Sequence, residues 1–195
     1  MGETRDHLGR PVVAVTGYGM ISSLGQGVTD SWAGLIAGRS GIKPISRFPT
    51  QNMRTTIAGA IDYLWQDGDT AMDITMRAGI LAAEEAIADA NIGSPGDFPG
   101  PLFAAMPPAE MEWPYRKKIY RDAPAVGTDA YDRMIAAARK TNDDDAYHHT
   151  LLGFIAAGIA EKIGTRGAPI SLTTACASGA TAIQLGAEAV RRGWV

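Results

Sequence analysis

The sequence is short of the residues that build disulfides, metal centres and cofactor sites. Of its 195 residues one is cysteine and three are histidine. One cysteine excludes an internal disulfide and fits a reducing compartment, so a cytoplasmic location is expected. The histidines are His7, His148 and His149. Adjacent histidines in a helix point about 100° apart and chelate one ion poorly, and no cysteine or second histidine pair completes a ligand set. Asp143-Asp144-Asp145 followed by His148-His149 therefore reads as a solvated acidic loop entering a helix, and His7 as a solvated side chain. No metal is expected. A basic excess is also missing: 18 Lys and Arg face 21 Asp and Glu, a formal net charge of -3, which argues against a nucleic-acid surface. No apolar run is long enough to span a bilayer, and the polar residues 1–10 lack a signal-peptide pattern. Gly17-Tyr18-Gly19 lacks the third glycine of a dinucleotide fingerprint, since Ser22 stands there. The carboxylate expected about twenty residues on is absent too, so no dinucleotide cofactor is implied.

What is present is 46% hydrophobic and 20% charged residues, enough for one globular domain with a sizeable core. After a flexible lead-in over residues 1–10, residues 11–16 predict a buried strand. Val28, Trp32, Leu35 and Ile36 recur at helical spacing before Gly38, with Trp32 expected in the core. Residues 56–61 suggest a short strand. Asp73 is a candidate N-cap for a long helix whose Met76, Ile80, Ala83, Ile87 and Ala90 share a face, with Asn91 closing it. A turn over 94–100 leads to a strand at 102–106. Residues 129–140 predict an amphipathic helix carrying Tyr131, Met134, Ile135 and Ala138 on one side. Residues 151–162 predict an apolar helix in which Gly153, Ala156, Ala157 and Gly158 permit close packing. Strand and helix alternate, the pattern of an α/β layered fold with a mixed, mainly parallel sheet.

The sole cysteine lies in the most informative stretch. Residues 170–174 are β-branched and apolar enough for a buried strand, and beyond a small-residue turn the pattern turns helical. In that helix Gln184, Glu188, Arg191 and Arg192 make one narrow polar stripe, so it reads as mostly buried. Arg191-Arg192-Gly193 suits its C-terminal end. Cys176 thus falls at a strand-to-helix junction, where unpaired backbone N–H groups converge and the positive end of the helix dipole favours a thiolate. Such a thiol is placed to attack a carbonyl, and the same N–H groups are placed to hold the resulting oxyanion. The small residues Ala175, Ala177, Ser178 and Gly179 leave room for a substrate. The alternative is a buried structural cysteine packing as a small hydrophobe.

Thr173-Thr174-Ala175-Cys176-Ala177-Ser178-Gly179 resembles the active-site motif of the β-ketoacyl-acyl-carrier-protein synthases, condensing enzymes of the thiolase-fold superfamily. A second similarity runs through Val12-Val13-Ala14-Val15-Thr16-Gly17-Tyr18-Gly19-Met20-Ile21-Ser22-Ser23-Leu24-Gly25 and on through Trp32, Leu35, Ala37-Gly38 and Ser40-Gly41-Ile42. The resemblance is clear over 12–42 and 151–193 and weaker between. There Ala105-Met106-Pro107-Pro108 replaces the glycine-rich turn usual in the family.

The resemblance implies the first of two similar halves of a thiolase-like layered fold, with a buried nucleophile helix. It makes Cys176 the catalytic nucleophile, its backbone N–H part of the oxyanion hole. It implies acyl carrier protein, carrying acyl and malonyl groups, as partner, and a homodimer as the assembly. An acyl group is loaded on Cys176 and then condensed with malonyl-acyl-carrier-protein, whose decarboxylation uses two histidines and a supporting lysine from the second half. Because His7, His148 and His149 precede Cys176 and match none of those positions, residues 1–195 are expected to be the nucleophile half of a protein about twice as long. The resemblance assigns the region after the 102–106 strand to the dimer contact and the floor of the acyl pocket. A thiolase acting on coenzyme A thioesters and a non-catalytic chain-length or dimerisation subunit are the alternatives.

Overall fold

The computed structural model describes residues 4–106, 113–122, 129–140 and 147–195. Its strands are β1 (Ile21–Ser22), β2 (Gly25–Gln26), β3 (Lys43–Pro44), β4 (Ile57–Ala58), β5 (Phe103–Ala105) and β6 (Ile170–Leu172). Its helices are α1 (Gly27–Ile36), α2 (Ala71–Ala90), α3 (Trp113–Asp122), α4 (Ala130–Lys140), α5 (Phe154–Ile163) and α6 (Ser178–Arg191). β1 pairs with β2 and β3 with β4, both antiparallel, while β5 and β6 run parallel in the register Phe103 to Ile170, Ala104 to Ser171 and Ala105 to Leu172.

The parallel pair is the middle of a layered core. Alternate residues of a strand face opposite sides. Leu102 and Met106, flanking β5, pack with the buried Ile155, Ile159 and Ile163 of α5, and Met72, Met76, Ile80, Ala83 and Ile87 of α2 complete that cluster. Phe103 points the other way, where a Cβ added at Gly186 of α6 would lie 3.9 Å from its ring. Helices therefore cover both faces of β5. Small residues set the α2–α5 spacing: a Cβ at Gly79 would come within 2.5 Å of Ile159 Cδ1, and one at Gly158 within 2.6 Å of Met76 Sδ.

The long helix α2 forms where expected and ends on Asn91, whose φ of 51° is left-handed. Its start differs from the expectation. The N-cap is Thr70, whose hydroxyl accepts from the N–H of Asp73 while the Asp73 carboxylate accepts from the N–H of Thr70. Asp73 is the third residue of a reciprocal capping box, because both residue types bond helix-start amides and the pair satisfies two of them at once.

Two further expectations are corrected. Residues 11–16 form no strand beyond a single bridge at Pro11, and Val12 and Val15 are 52% and 81% exposed. Thr16 and Gly17 line an apolar groove of about 400 Å³ together with Phe103 of β5 and Ile183 of α6, and among the described residues β5 pairs with β6 alone. The segment after them is held by α2 instead. Glu85 accepts from the N–H of Met20 at 2.9 Å and of Val28 at 2.8 Å, and Asp89 from the N–H of Tyr18 at 3.2 Å. Gly17 and Gly19 permit this, since a Cβ at Gly19 would collide with the carbonyl of Ala82.

Trp32 is likewise outside the core, 60% exposed, with Leu35 and Ile36 beside it on the open side of α1. The buried side of α1 is small and polar. Ser31 bonds Ser22 Oγ at 2.8 Å and donates to the Gly25 carbonyl at 3.1 Å, and Gly34 admits Leu24 and Arg39. The Tyr63 hydroxyl, 2.9 Å from the Ser22 and Gly25 carbonyls, ties down the same hairpin. Desolvation raises its pKa above the ordinary tyrosine value.

Residues 4–12 fold back on themselves. Asp6 accepts from the N–H groups of Leu8 and Arg10 and pairs with the Arg10 guanidinium at 2.8 Å, while Val12 N–H donates to the Thr4 carbonyl. Arg191 of α6 donates to the Pro11 carbonyl at 3.1 Å.

Candidate active site

Cys176 stands between β6 and α6. The chain turns sharply there because Ala177 N–H donates to the Thr174 carbonyl at 3.2 Å and Ser178 N–H to the Ala175 carbonyl at 3.1 Å. The turn puts Ala175 at φ 51°. For a residue with a Cβ that left-handed conformation costs roughly 1–2 kcal/mol, so the surroundings must hold it.

The side chain of Ser178, 7% exposed, supplies such a hold. Its hydroxyl accepts from Thr174 N–H at 2.7 Å and donates to the Ala175 carbonyl at 2.8 Å, joining the two arms of the turn. One turn further, Thr181 donates to the Ala177 carbonyl at 3.0 Å and stands 3.5 Å from the Thr174 hydroxyl.

The thiol of Cys176 is exposed. A Cβ at Gly179 would meet nothing within 4 Å, so the approach beside the thiol is open. The backbone of Cys176 pairs with Thr174 in an isolated parallel bridge, which fixes the residue in the turn. With no acidic residue in the first turn of α6, the positive helix end is left for an anion. The thiol and the start of α6 thus lie at one strand-to-helix junction. The helix itself is covered along one side only: Ala189 is buried against the core, whereas Ile183 and Val190 are 72% and 48% exposed. At its other end Glu188 pairs with Arg191 at 2.8 Å, which holds the carboxyl below its ordinary pKa.

The histidines are placed elsewhere. His149 packs edge-on to Tyr115, with ring centroids 5.9 Å apart, and against Phe154 at 4.9 Å. Its Nδ1 is buried without a hydrogen-bond partner among the described residues. His148 lies against Tyr147. Asp143, Asp144, Asp145, Pro107 and Pro108 fall outside the described residues. The expected helix over 129–140 is α4, begun by Asp129 accepting from Asp132 N–H at 2.8 Å. Its less exposed side is Met134, Ile135 and Ala137, with Tyr131 65% exposed. Sequence reasoning read Ser178 only as a small residue leaving room. Its type, a helix-start hydroxyl four residues beyond the end of the strand pattern, is the signal that marks it.

A parallel strand pair between helices, with the sole thiol at a strand–turn–helix junction, is an α/β architecture, and the ketosynthase structures on which it superposes place it in the thiolase-like class. Within that class the chain belongs to the β-ketoacyl synthase family: the family model for the beta-ketoacyl synthase N-terminal domain matches residues 10–195. Among curated relatives it is 37% identical over 86 residues, 41% of this chain and 21% of the relative, to 3-oxoacyl-acyl-carrier-protein synthase 2 of Vibrio cholerae. It is 26% identical across 94% of its length, and 40% of the relative's, to the chloroplastic 3-oxoacyl-acyl-carrier-protein synthase I of Hordeum vulgare. The solved ishigamide ketosynthase/chain length factor superposes with a TM-score of 0.64 at 25% identity, covering 93% of this chain and 44% of that one. The chain thus spans less than half the length of these relatives.

Proposed function

We propose that this chain is the nucleophile-bearing half of a 3-oxoacyl-acyl-carrier-protein synthase of fatty-acid elongation. The observation that carries the reading is the exposed Cys176 thiol at the head of α6, beside the open side of Gly179. As a thiolate, Cys176 Sγ attacks the carbonyl carbon of an acyl thioester on the carrier protein. The oxyanion is held by backbone N–H. The carrier's C–S bond then breaks, and the carrier thiol leaves with a proton. In the second step malonyl-acyl-carrier-protein loses carbon dioxide, and its carbanion attacks the Cys176 thioester, forming the C–C bond and releasing the Cys176 thiol. In this reading the donors for the enolate are supplied by a second half of the protein, while His148 and His149 pack against Tyr147, Tyr115 and Phe154. We further propose that the working protein is a homodimer, which light scattering of the full-length protein tests; a monomer at micromolar concentration refutes it.

The name of the superposed ketosynthase/chain length factor favours a second reading, a chain-length subunit. Incubation of the full-length protein with acyl-acyl-carrier-protein, followed by peptide mass mapping, separates the two. Acyl mass on the Cys176 peptide, lost in Cys176→Ser, is the expected result. Acylation elsewhere, or none, overturns the synthase reading.

A further inference from the structure

The Cys176 turn holds a non-glycine residue in a conformation that its Cβ disfavours, and one buried side chain closes that turn. The geometry points to Ser178 as a positioning residue for the nucleophile, a proposal that rests on the acyl-transfer reading of Cys176. Its hydroxyl accepts from Thr174 N–H at 2.7 Å and donates to the Ala175 carbonyl at 2.8 Å, so it grips the last residue of the strand side and the left-handed residue itself. The two backbone bonds of the turn, at 3.2 and 3.1 Å, are longer. Without the hydroxyl, Thr174 N–H loses its acceptor and the Ala175 carbonyl keeps only the Ser178 amide. Ala175 is then free to return to a right-handed or extended φ, which swings the Cα–Cβ bond of Cys176 away from the open side of Gly179. Ser178 touches no reacting atom; it acts through the backbone that aims the thiol.

The chemistry of the grip makes a specific rescue available. Glycine adopts positive φ about as readily as negative φ. A glycine at 175 therefore populates the turn without the clasp, whereas alanine needs it.

In the full-length protein, Ser178→Ala is expected to lower the single-turnover rate of Cys176 acylation about ten-fold, equivalent to about 1.4 kcal/mol in the barrier. The concentration of acyl-acyl-carrier-protein giving half-maximal rate should stay unchanged, because the clasp does not touch the carrier. Ala175→Gly combined with Ser178→Ala should return the rate to within about three-fold of the parent. A merely structural hydroxyl predicts a lower melting temperature with a normal acylation rate below it; that result overturns the proposal. So does a slow Ser178→Ala variant that the glycine fails to rescue. Should Ser178→Ala not fold, Ser178→Gly and Ser178→Thr give the same comparison, with only the hydroxyl-bearing threonine expected to retain rate. If the parent protein takes no acyl group on Cys176, the proposed function falls, and the clasp is judged by iodoacetamide alkylation of Cys176. Slower labelling in Ser178→Ala with recovery in the double variant upholds it, and equal labelling overturns it.

Discussion

Replacing Glu85 tests how the N-terminal third is attached. Its carboxylate accepts from Val28 N–H at 2.8 Å in a part-buried setting and from Met20 N–H at 2.9 Å nearer solvent. Val28 is the second residue of α1, so one of these bonds also places negative charge at a helix start. Hydrogen bonds to charged groups contribute about 1.5–3 kcal/mol and exposed ones less. Assigning about 1.5 kcal/mol to Val28 and about 1 to Met20 gives about 2.5 kcal/mol for Glu85→Ala. With a urea dependence of about 2.5 kcal/mol per molar for a chain of this size, the denaturation midpoint should fall by about 1 M at unchanged slope. Glu85→Gln should lose at least half as much, since its amide keeps one acceptor and turns a second donor toward an N–H. Amide exchange should quicken first at Met20 and Val28. A midpoint within about 0.2 M of the parent for Glu85→Ala, far below the expected loss, would show that the carboxylate does not hold this segment.

Two other outcomes follow from the packing around α2. The Asp69 carboxyl, hydrogen-bonded by the Arg77 guanidinium at 2.7 and 3.0 Å, is held below the ordinary aspartate range mainly by that bond. A depressed folded pKa adds stability that is fully present above the unfolded value near pH 4 and is lost as pH falls through the folded value. Asp69→Asn should therefore be less stable than the parent at pH 7, with the gap closing in acid; an equal gap at pH 7 and at about pH 2.5, below the ordinary carboxylate range, would refute this. Gly19→Ala should lower the melting temperature more than Gly79→Ala. The added methyl at 19 meets the backbone of Ala82, which cannot yield, while at 79 it meets the movable Cδ1 of Ile159 and gains about 1 kcal/mol of helix propensity; the reverse order in thermal melts would refute the packing described here.

What could be read from the sequence was local. α2 announces itself by Thr70, Asp73 and Asn91, residues whose side chains or backbones end helices whatever surrounds them, and the only slip was to give the cap to the wrong member of a reciprocal pair. The site was legible for the same reason: a strand pattern, small residues and a helix pattern lie within one stretch of chain around Cys176. Its clasp was less so, because nothing about alanine marks position 175 as left-handed. The bonds from Ser178 Oγ to two backbone groups on either side of that residue become visible only once the turn is built.

Long-range cover is a different kind of information. Hydropathy marks Val12, Val15, Trp32, Ile183 and Val190 as residues of apolar faces, yet these faces stand open, because periodicity says which side is apolar and not what lies against it. Conversely, the contact that fixes residues 18–28 is polar and joins positions 57 to 71 apart in the chain, so no local pattern contains it. A trace of it was present. Gly17 and Gly19 on one strand of chain, and Ala82, Ala86 and Ala90 at four-residue spacing on α2, are two small-residue tracks that bring backbone against helix. Once a backbone lies that close without a neighbouring strand, its N–H groups need acceptors, and Glu85 and Asp89, on the same side of α2 one turn apart, are the groups that reach them.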